Sequence, residues 1–336
     1  MSNLYKILFF STTVLGTLIT IASYSWFSMW IGLEINLLSI IPLLKSPKSL
    51  YPTEAILKYF ITQALASTIL MFSIITMLNL ETIFSSLKSL TMIIMNSALL
   101  TKMGAAPFHS WFPEVMEGLN WNNSMIMLTW QKIAPMILFS YNLQMTFFIS
   151  FVVITSTVIS GILGLNQVSL RKILAYSSIN HIGWMIASML SFKTIWLFYF
   201  LIYSTISLNI IVMFKYLNIF SLKQLFMALV SNKLMKILFA MNFLSLGGLP
   251  PFLGFFPKWL VVNKLIQNNF FSLSVILIIF TLITMFFYLR MTFPSVMLLT
   301  NETLNFDTKP LNFKIIFMNS ITLLGLLICT LTFSLF

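Results

Sequence analysis

The sequence predicts an all-α polytopic membrane protein with about eleven transmembrane helices. Of its 336 residues, 59% are hydrophobic and only 8% are charged, whereas a soluble globular protein carries about 25% charged residues. So few charges cannot form a surface that faces water. A helix needs about 20 apolar residues to cross a bilayer, and apolar stretches of that size follow one another along the whole chain.

The predicted spans are separated by short polar turns and by three longer loops. We place the eleven spans at residues 4–24, 26–44, 55–78, 88–112, 122–142, 146–166, 171–190, 194–217, 237–262, 270–293 and 313–335. The longer loops cover residues 45–54, 218–236 and 294–312. Within the second loop, apolar residues at helical spacing with interleaved lysines predict an interfacial helix at 219–236.

The positive charges predict how the chain is oriented in the membrane. The net charge is +12, and thirteen of the nineteen Lys and Arg residues fall on the same side as the N-terminus. Lys and Arg collect on the cytoplasmic or matrix side of membrane proteins. The N-terminus is therefore expected on that side and the C-terminus on the other, and the basic excess indicates topology rather than nucleic-acid binding.

Few residues in the chain are suited to holding a redox centre or a metal ion. The only cysteine is Cys329, and the only histidines are His109 and His181. An iron–sulfur cluster needs about four thiolates. The sequence contains neither a G-x-G-x-x-G motif nor a phosphate-binding Walker loop. We therefore expect no cofactor and no metal site in this chain.

An internal repeat relates the two halves of the sequence. Residues 104–113 and 248–257 share five identities at an offset of 144, namely Gly104/Gly248, Pro107/Pro251, Phe108/Phe252, Phe112/Phe256 and Pro113/Pro257. The same offset superposes the first five spans on the next five. Because five is an odd number, the two copies must have opposite orientations, which is the inverted-repeat plan of secondary transporters. The predicted domains are a first repeat at 1–144, a second at 145–293, and a C-terminal loop and helix at 294–336.

The repeated motif is expected to break its helix. Proline lacks the N–H that a helix needs, and glycine permits unwinding; the predicted helix-breaking residues are Gly104, Pro107, Pro113, Gly248, Pro251 and Pro257. Broken helices at membrane depth line wet cavities and form ion sites. A simple proline kink without function is the alternative. Two copies, each beside an intramembrane lysine, argue against it.

Five ionisable residues fall inside the predicted spans: Glu34, Lys102, Lys132, His181 and Lys258. A charge at the bilayer centre costs about 2.5–3.5 kcal/mol, so these groups must be paired or hydrated. The alternatives are snorkelling lysines, strongest for Lys258, a hydrogen-bonded interior histidine at His181, and a structural ion pair between Glu34 and Lys102.

A buried row of lysines is suited to proton handling. Low dielectric disfavours the charged form of a lysine, and a neighbouring carboxylate favours it again. Changing the contact between Glu34 and Lys102 would change how tightly Lys102 holds its proton. The hypothesis is that a proton then passes through water to Lys132, His181 and Lys258.

The sequence resembles the antiporter-like, proton-pumping membrane subunits of mitochondrial NADH–ubiquinone oxidoreductase, respiratory complex I. The resemblance runs from about residue 15 to residue 265 and is carried by GLEIN (32–36), KMGAAPFHSWFPE (102–114), WQKIAP (130–135), SSINHIGW (177–184) and GGLPPFLGFFPKW (247–259).

The resemblance implies a fold, a site and a cellular setting. The fold is two inverted five-helix units, each with one discontinuous helix. The family's essential glutamate falls on Glu34, its lysines on Lys102, Lys132 and Lys258, and the histidine of its polar axis on His181. The chain itself would bind no cofactor, because FMN, the iron–sulfur clusters, NADH and ubiquinone are handled by other subunits of the enzyme.

The resemblance also implies partners and a location. The partners would be other membrane-arm subunits, including neighbouring antiporter-like ones, and membrane lipid, with no nucleic acid. The location would be the mitochondrial inner membrane, with the N-terminus in the matrix and the C-terminus in the intermembrane space. The alternatives are a cation/proton antiporter outside complex I and a non-catalytic scaffold with a vestigial polar axis.

Overall fold

The computed structural model describes residues 4–45, 51–80, 87–230, 233–297, 316–317, 319–320 and 322. Throughout this part of the chain the secondary structure is α-helical, with no β-strand and one isolated bridge between Ser169 and Ser221. Six of the described helices are long and apolar enough to cross a membrane. The prediction of an all-α, multi-pass membrane protein is therefore confirmed, while the number of spans and the repeat architecture stay predictions.

The chain forms two compact units, Met1–Ser156 and Thr157–Phe336. The first unit contains α1 (Leu4–Ala22), α2 (Trp26–Leu44), α3 (Tyr51–Leu80), α4 (Leu87–Met103), α5 (Trp111–Gly118), α6 (Trp121–Leu128), α7 (Trp130–Phe139) and the first half of α8 (Thr146–Leu165). The second contains the rest of α8 and α9 (Leu170–Ser191), α10 (Lys193–Leu217), α11 (Leu222–Val230), α12 (Lys233–Gly247), α13 (Phe255–Gln267) and α14 (Phe271–Met297).

Small residues let α1 and α2 approach closely in the first unit. A Cβ on Gly32 would lie 2.9 Å from the carbonyl oxygen of Gly16, and a Cβ on Gly16 would lie 2.9 Å from the backbone nitrogen of Asn36. Such close backbone contact at small residues is typical of helices packed in membranes. Helix α3 packs against α2, α4 and α5, and α7 contacts α1, α2 and α4. These contacts bring α2, α3, α4 and α7 together around one interior region.

Helix α9 is buried along almost its whole length in the second unit. Eighteen of its 22 residues are buried, and it contacts α10, α13 and α14. The polar side chains of Asn180 and His181 are among the buried residues. Asn180 Nδ2 donates a hydrogen bond to Thr284 Oγ1 at 3.1 Å, which links α9 to α14.

A second buried polar cluster connects α10 and α12 to described residues near the C-terminus. Asn242 Nδ2 donates to Asn319 Oδ1, and Thr322 Oγ1 donates to Asn242 Oδ1 at 3.4 Å. Asn209 Nδ2 donates to Thr322 Oγ1 at 3.4 Å. Interhelical hydrogen bonds of this kind join helices where lipid supplies no hydrophobic driving force.

Both copies of the repeated motif lie at helix interruptions with matching backbone features. Helix α4 ends at Met103 and α5 begins at Trp111, while α12 ends at Gly247 and α13 begins at Phe255. The residue that directly follows each of these helix ends is a glycine with positive φ, +75° at Gly104 and +81° at Gly248. The peptide bonds that precede the repeated prolines, Ala106–Pro107 and Pro250–Pro251, are both cis.

The span predicted at 122–142 differs from the structure, which divides it into α6 and α7 at Thr129. Thr129 has φ −113° and ψ −71°, and its Oγ1 donates to the carbonyl of Met125 at 2.8 Å. Pro135, inside α7, has no N–H to donate to the carbonyl of Gln131, which weakens this part of the helix. The helix is thus interrupted at Thr129, three residues before Lys132.

The predicted interfacial helix and the predicted C-terminal span have different outcomes. The interfacial helix predicted at 219–236 is too long, because α11 covers only Leu222–Val230 and Lys233 already begins α12. The span predicted at 313–335 lies almost entirely outside the described residues.

Candidate functional site

Lys102 lies in the last turn of α4, directly before the first interruption. Its side chain is 7% exposed, and its Nζ makes no hydrogen bond with any residue that the structure describes. Half-buried Glu34 on α2 is close enough to act electrostatically on Lys102. The two residues nevertheless form no ion pair within 4 Å, so the direct Glu34–Lys102 pair weighed from the sequence does not form.

The periodicity of α2 explains why Glu34 does not reach Lys102. Leu33, Asn36 and Leu37 line the interior region, and their spacing of three to four residues marks one helix face. Residue 34 is about 100° around the helix from residue 33. Its carboxylate therefore lies beside this face and acts on Lys102 without touching it.

A small cavity lies between Lys102 and polar side chains of α2, α3 and α7. Its volume is about 20 Å³, and its polar lining comprises Asn36, Tyr59, Gln63, Lys102 and Gln131. A cavity of about 10–15 Å³ with two to four polar partners holds one water molecule. We refer to these five residues as the Lys102 cluster. The cluster has the size and the polarity to hold a single water against the Lys102 ammonium.

Hydrogen bonds order the other members of the Lys102 cluster. The Tyr59 hydroxyl donates to Gln131 Oε1 at 3.5 Å, and Gln131 Nε2 donates to Asn36 Oδ1 at 2.9 Å. Gln63 Nε2 donates to the backbone carbonyl of Lys102 at 3.4 Å. These bonds fix the polar groups around the cavity. The Lys102 ammonium, by contrast, has no hydrogen-bond acceptor among the described residues.

Lys132 is more deeply buried than Lys102. Its side chain is 1% exposed, and its Nζ lies 5.5 Å from the centroid of the Phe112 ring, within the range of a cation–π interaction. The same phenylalanine packs over Gly104, where an added Cβ would lie 3.1 Å from Phe112 Cβ. Phe112 therefore contacts both the first helix interruption and the Lys132 ammonium.

Lys258 lies on α13 and turns back to the second interruption. Its side chain is 8% exposed, its Nζ donates to the Gly247 carbonyl at 2.7 Å, and it lies 5.7 Å from the centroid of the Trp184 ring. Its aliphatic chain covers Gly248, whose Cβ, if present, would lie 2.8 Å from Lys258 Cδ. The ammonium thus binds a carbonyl that the interruption frees, and does not snorkel to a membrane surface.

His181 is buried on α9 against two tyrosines of α10. Its Nδ1 lies 2.9 Å from the Tyr199 hydroxyl, and its ring centroid lies 4.9 Å from that of Tyr203. This is the hydrogen-bonded interior histidine that the sequence left open as an alternative. A buried imidazole in this contact also retains the ability to exchange a proton. The contact is therefore compatible with a structural role and with a role in proton transfer.

Most of the polar residues around Lys102 were not predicted from the sequence. Tyr59, Gln63 and Gln131 had no predicted role, although Gln131 directly precedes Lys132 in the WQKIAP motif. The repeat offset of 144 also relates Tyr59 to Tyr203, so the repeat register carried a signal for both tyrosines. It likewise relates Asn36 to Asn180.

Glu114 and His109 have surface contacts. Glu114 accepts a hydrogen bond from Lys58 Nζ at 2.5 Å, and both side chains are about half exposed. His109 Nδ1 lies 3.2 Å from the carbonyl oxygen of Pro107. Within the described parts of the chain, no three His, Cys, Asp or Glu side chains form a group that could hold a metal ion.

These features define an all-helical, multi-pass membrane protein with ionisable side chains buried beside helix interruptions. Residues 23–284 match the family model described as NADH:quinone oxidoreductase/Mrp antiporter, TM. The chain therefore belongs to the NADH:quinone oxidoreductase/Mrp antiporter transmembrane family, which confirms the resemblance seen in the motifs.

Individual relatives support the same membership. The chain is 48% identical to NADH-ubiquinone oxidoreductase chain 2 of Aedes aegypti and 45% identical to that of Anopheles gambiae, in both cases over 99% of each chain. Its fold is similar to a chain of respiratory complex I from Thermus thermophilus with bound aureothin, with a TM-score of 0.85 and 23% sequence identity. That match covers 96% of this chain and 78% of the other.

Proposed function

We propose that this chain is a core membrane subunit of respiratory complex I that translocates protons across the mitochondrial inner membrane. The observation that carries the proposal is the Lys102 ammonium, which is buried beside a water-sized polar cavity at a helix interruption. The high identity to relatives named NADH-ubiquinone oxidoreductase chain 2 supports the assignment to complex I.

The proposal includes the architecture, orientation and setting of the chain. The two copies of the motif belong to two inverted five-helix repeats, residues 1–144 and 145–293, followed by a C-terminal helix. The matching φ values of Gly104 and Gly248 support the repeat. The N-terminus faces the matrix, and the C-terminus faces the intermembrane space. The partners are other membrane-arm subunits, and electron transfer from NADH to ubiquinone takes place outside this chain.

In the first unit, the proton-handling groups are Glu34, Lys102 and Lys132. A water in the cavity of the Lys102 cluster accepts a hydrogen bond from the charged ammonium, which replaces the acceptor that the described residues do not supply. The Glu34 charge favours the protonated form of Lys102. Weakening that charge releases the proton from Lys102 to the cavity water, and Lys132 is the next basic group of the same unit.

In the second unit, the proton-handling groups are His181 and Lys258. A charged Lys258 ammonium donates a stronger hydrogen bond to the Gly247 carbonyl than a neutral amine does, and this difference couples its protonation to the helix interruption. His181 exchanges its proton within its contact with Tyr199. The groups of the single relay predicted from the sequence thus fall into two sets, one in each unit.

The proposal is tested with the whole complex reconstituted in vesicles. Lys102→Ala and Lys132→Ala are each compared with wild type for the number of protons moved per NADH oxidised. Exposed Lys215 provides the matched control Lys215→Ala. We expect the two buried substitutions to lower this ratio while the control leaves it unchanged. If both buried variants pumped with the wild-type ratio, the lysine relay would be wrong.

The second candidate is a cation/proton antiporter that works outside complex I, since the family model also includes Mrp antiporters. It predicts sodium-dependent proton exchange in vesicles that hold this chain but no NADH dehydrogenase. The complex I proposal predicts no such exchange, and it predicts that the chain comigrates with NADH dehydrogenase activity during purification from inner membranes.

A further inference from the structure

A second, larger cavity opens at the ends of three helices of the first unit. Its volume is about 390 Å³. It lies where α1 begins, α2 ends and α6 begins, and its polar lining comprises Lys6, Lys45, Asn120, Asn122 and Asn123. None of these residues belongs to the Lys102 cluster, and proton translocation as proposed above does not use the cavity.

The charges around this cavity have one sign. Lys6 and Lys45 are both exposed, and neither forms an ion pair with a residue that the structure describes. None of the described residues that line the cavity is acidic. The two lysines therefore present positive charge to the cavity without an acidic partner among the residues described.

The first turn of α6 adds hydrogen-bond donors to the same cavity. Its N-cap residue, Asn120, makes no side-chain capping bond, and Asn122 and Asn123 of the first turn line the cavity. Asn123 Nδ2 already donates to the carbonyls of Leu43 and Leu44, which holds the beginning of α6 against the end of α2. The positive end of the α6 dipole thus reinforces the two lysines.

The cavity also has an apolar side that continues along α1. Ile7 and Phe10 line it, and they are 64% and 45% exposed. Further along the same helix, Leu18 is 54% exposed. An exposed apolar helix face in a membrane protein contacts acyl chains, so a ligand that fits both parts is an amphiphile with an anionic head.

We propose that this cavity binds the headgroup of an anionic phospholipid. Lys6 and Lys45 contact the phosphate, the first turn of α6 faces the same phosphate, and the acyl chains follow Ile7 and Phe10 along α1. Basic pockets between transmembrane helices on the matrix or cytoplasmic side bind such headgroups. A free phosphate ion would use the basic part of the cavity but not its apolar side.

The test uses the whole complex in phosphatidylcholine nanodiscs that contain a trace of spin-labelled phosphatidylglycerol or spin-labelled phosphatidylcholine. Electron paramagnetic resonance measures the immobilised fraction of each label. The double variant Lys6→Gln/Lys45→Gln removes both charges of the cavity. The control Lys215→Gln/Lys223→Gln removes two exposed charges from the second unit, outside the cavity.

We expect wild type to immobilise phosphatidylglycerol in preference to phosphatidylcholine. The cavity variant should lose about 30-fold in relative affinity, the equivalent of about 1 kcal/mol for each lysine, and the control should keep the preference. If the double variant does not assemble, the single variants Lys6→Gln and Lys45→Gln give the same comparison with about fivefold losses.

Three results would overturn the proposal. The first is equal immobilisation of the two labels by wild type, and the second is an equal loss in the cavity variant and in the control. The third is complete displacement of the phosphatidylglycerol label by millimolar inorganic phosphate at constant ionic strength, which would identify a site for the free anion.

Discussion

Replacing Gly248 by alanine is expected to displace Lys258 from the helix interruption of the second unit. A Cβ at this position would lie 2.8 Å from Lys258 Cδ, 3.1 Å from Cε and 3.0 Å from Nζ. The lysine chain can move, but the movement breaks the 2.7 Å bond from Nζ to the Gly247 carbonyl. The φ of +81° is also unfavourable for alanine.

The cost has two parts of similar size. A left-handed backbone costs an L-residue about 1–2 kcal/mol, and loss of a hydrogen bond to a charged group costs about 1.5–3 kcal/mol. Together they amount to about 2.5–5 kcal/mol for the local conformation. A loss of this size would change the population of the state in which Lys258 holds the interruption by at least about 70-fold.

The assay is proton pumping per NADH oxidised by the reconstituted complex. Gly161→Ala in α8 is the matched control, because its Cβ would meet its nearest neighbour at an ordinary 3.5 Å. We expect Gly248→Ala to lower the pumping ratio and Gly161→Ala to leave it unchanged. If the Gly248→Ala complex assembled and pumped with the wild-type ratio, the contact between Lys258 and the Gly247 carbonyl would not be needed for proton pumping.

Three other substitutions separate functional from structural contacts. Gln131→Leu leaves the buried side-chain oxygen of Asn36 without its hydrogen-bond donor, so we expect about 1 kcal/mol lower stability and a reduced pumping ratio in the vesicle assay. Asn242→Leu breaks the cluster of α10 and α12, and we expect a lower thermal midpoint of the complex with an unchanged ratio in the part that stays assembled. Lys58→Gln removes the exposed pair with Glu114, and since such pairs contribute little, we expect both the midpoint and the ratio to stay within error of wild type.

The helix interruptions were predictable from the sequence where the signal is local. Glycine and proline act on the backbone at their own position, so the two motifs marked the ends of α4 and α12. The interruption at Thr129 was not foreseen, because one interior proline, Pro135, is a weaker signal. A single threonine that donates back to its own helix carries no distinctive pattern.

The identity of the buried lysines was also predictable, but their surroundings were not. An ionisable residue inside an apolar stretch is recognisable from the sequence alone, as Lys102 and Lys258 show. The neighbours of Lys102 come from α2, α3 and α7, and only the packing of those helices determines which side chains meet. The absence of a Glu34–Lys102 ion pair has the same origin, since it depends on the rotation of α2 about its axis.

The burial of α9 has a consequence for how the chain enters the bilayer during synthesis. This helix has 22 residues, long enough to span, but it does not belong to the six apolar helices found in the described part of the chain. It carries Asn180 and His181 in its buried middle, so it partitions poorly into lipid by itself. Helix α10, which follows after one residue and packs against it, is among the apolar six. We therefore expect α9 to enter the bilayer as a hairpin with α10, which covers part of its polar surface before α13 and α14, the other helices packed against it, have been synthesised.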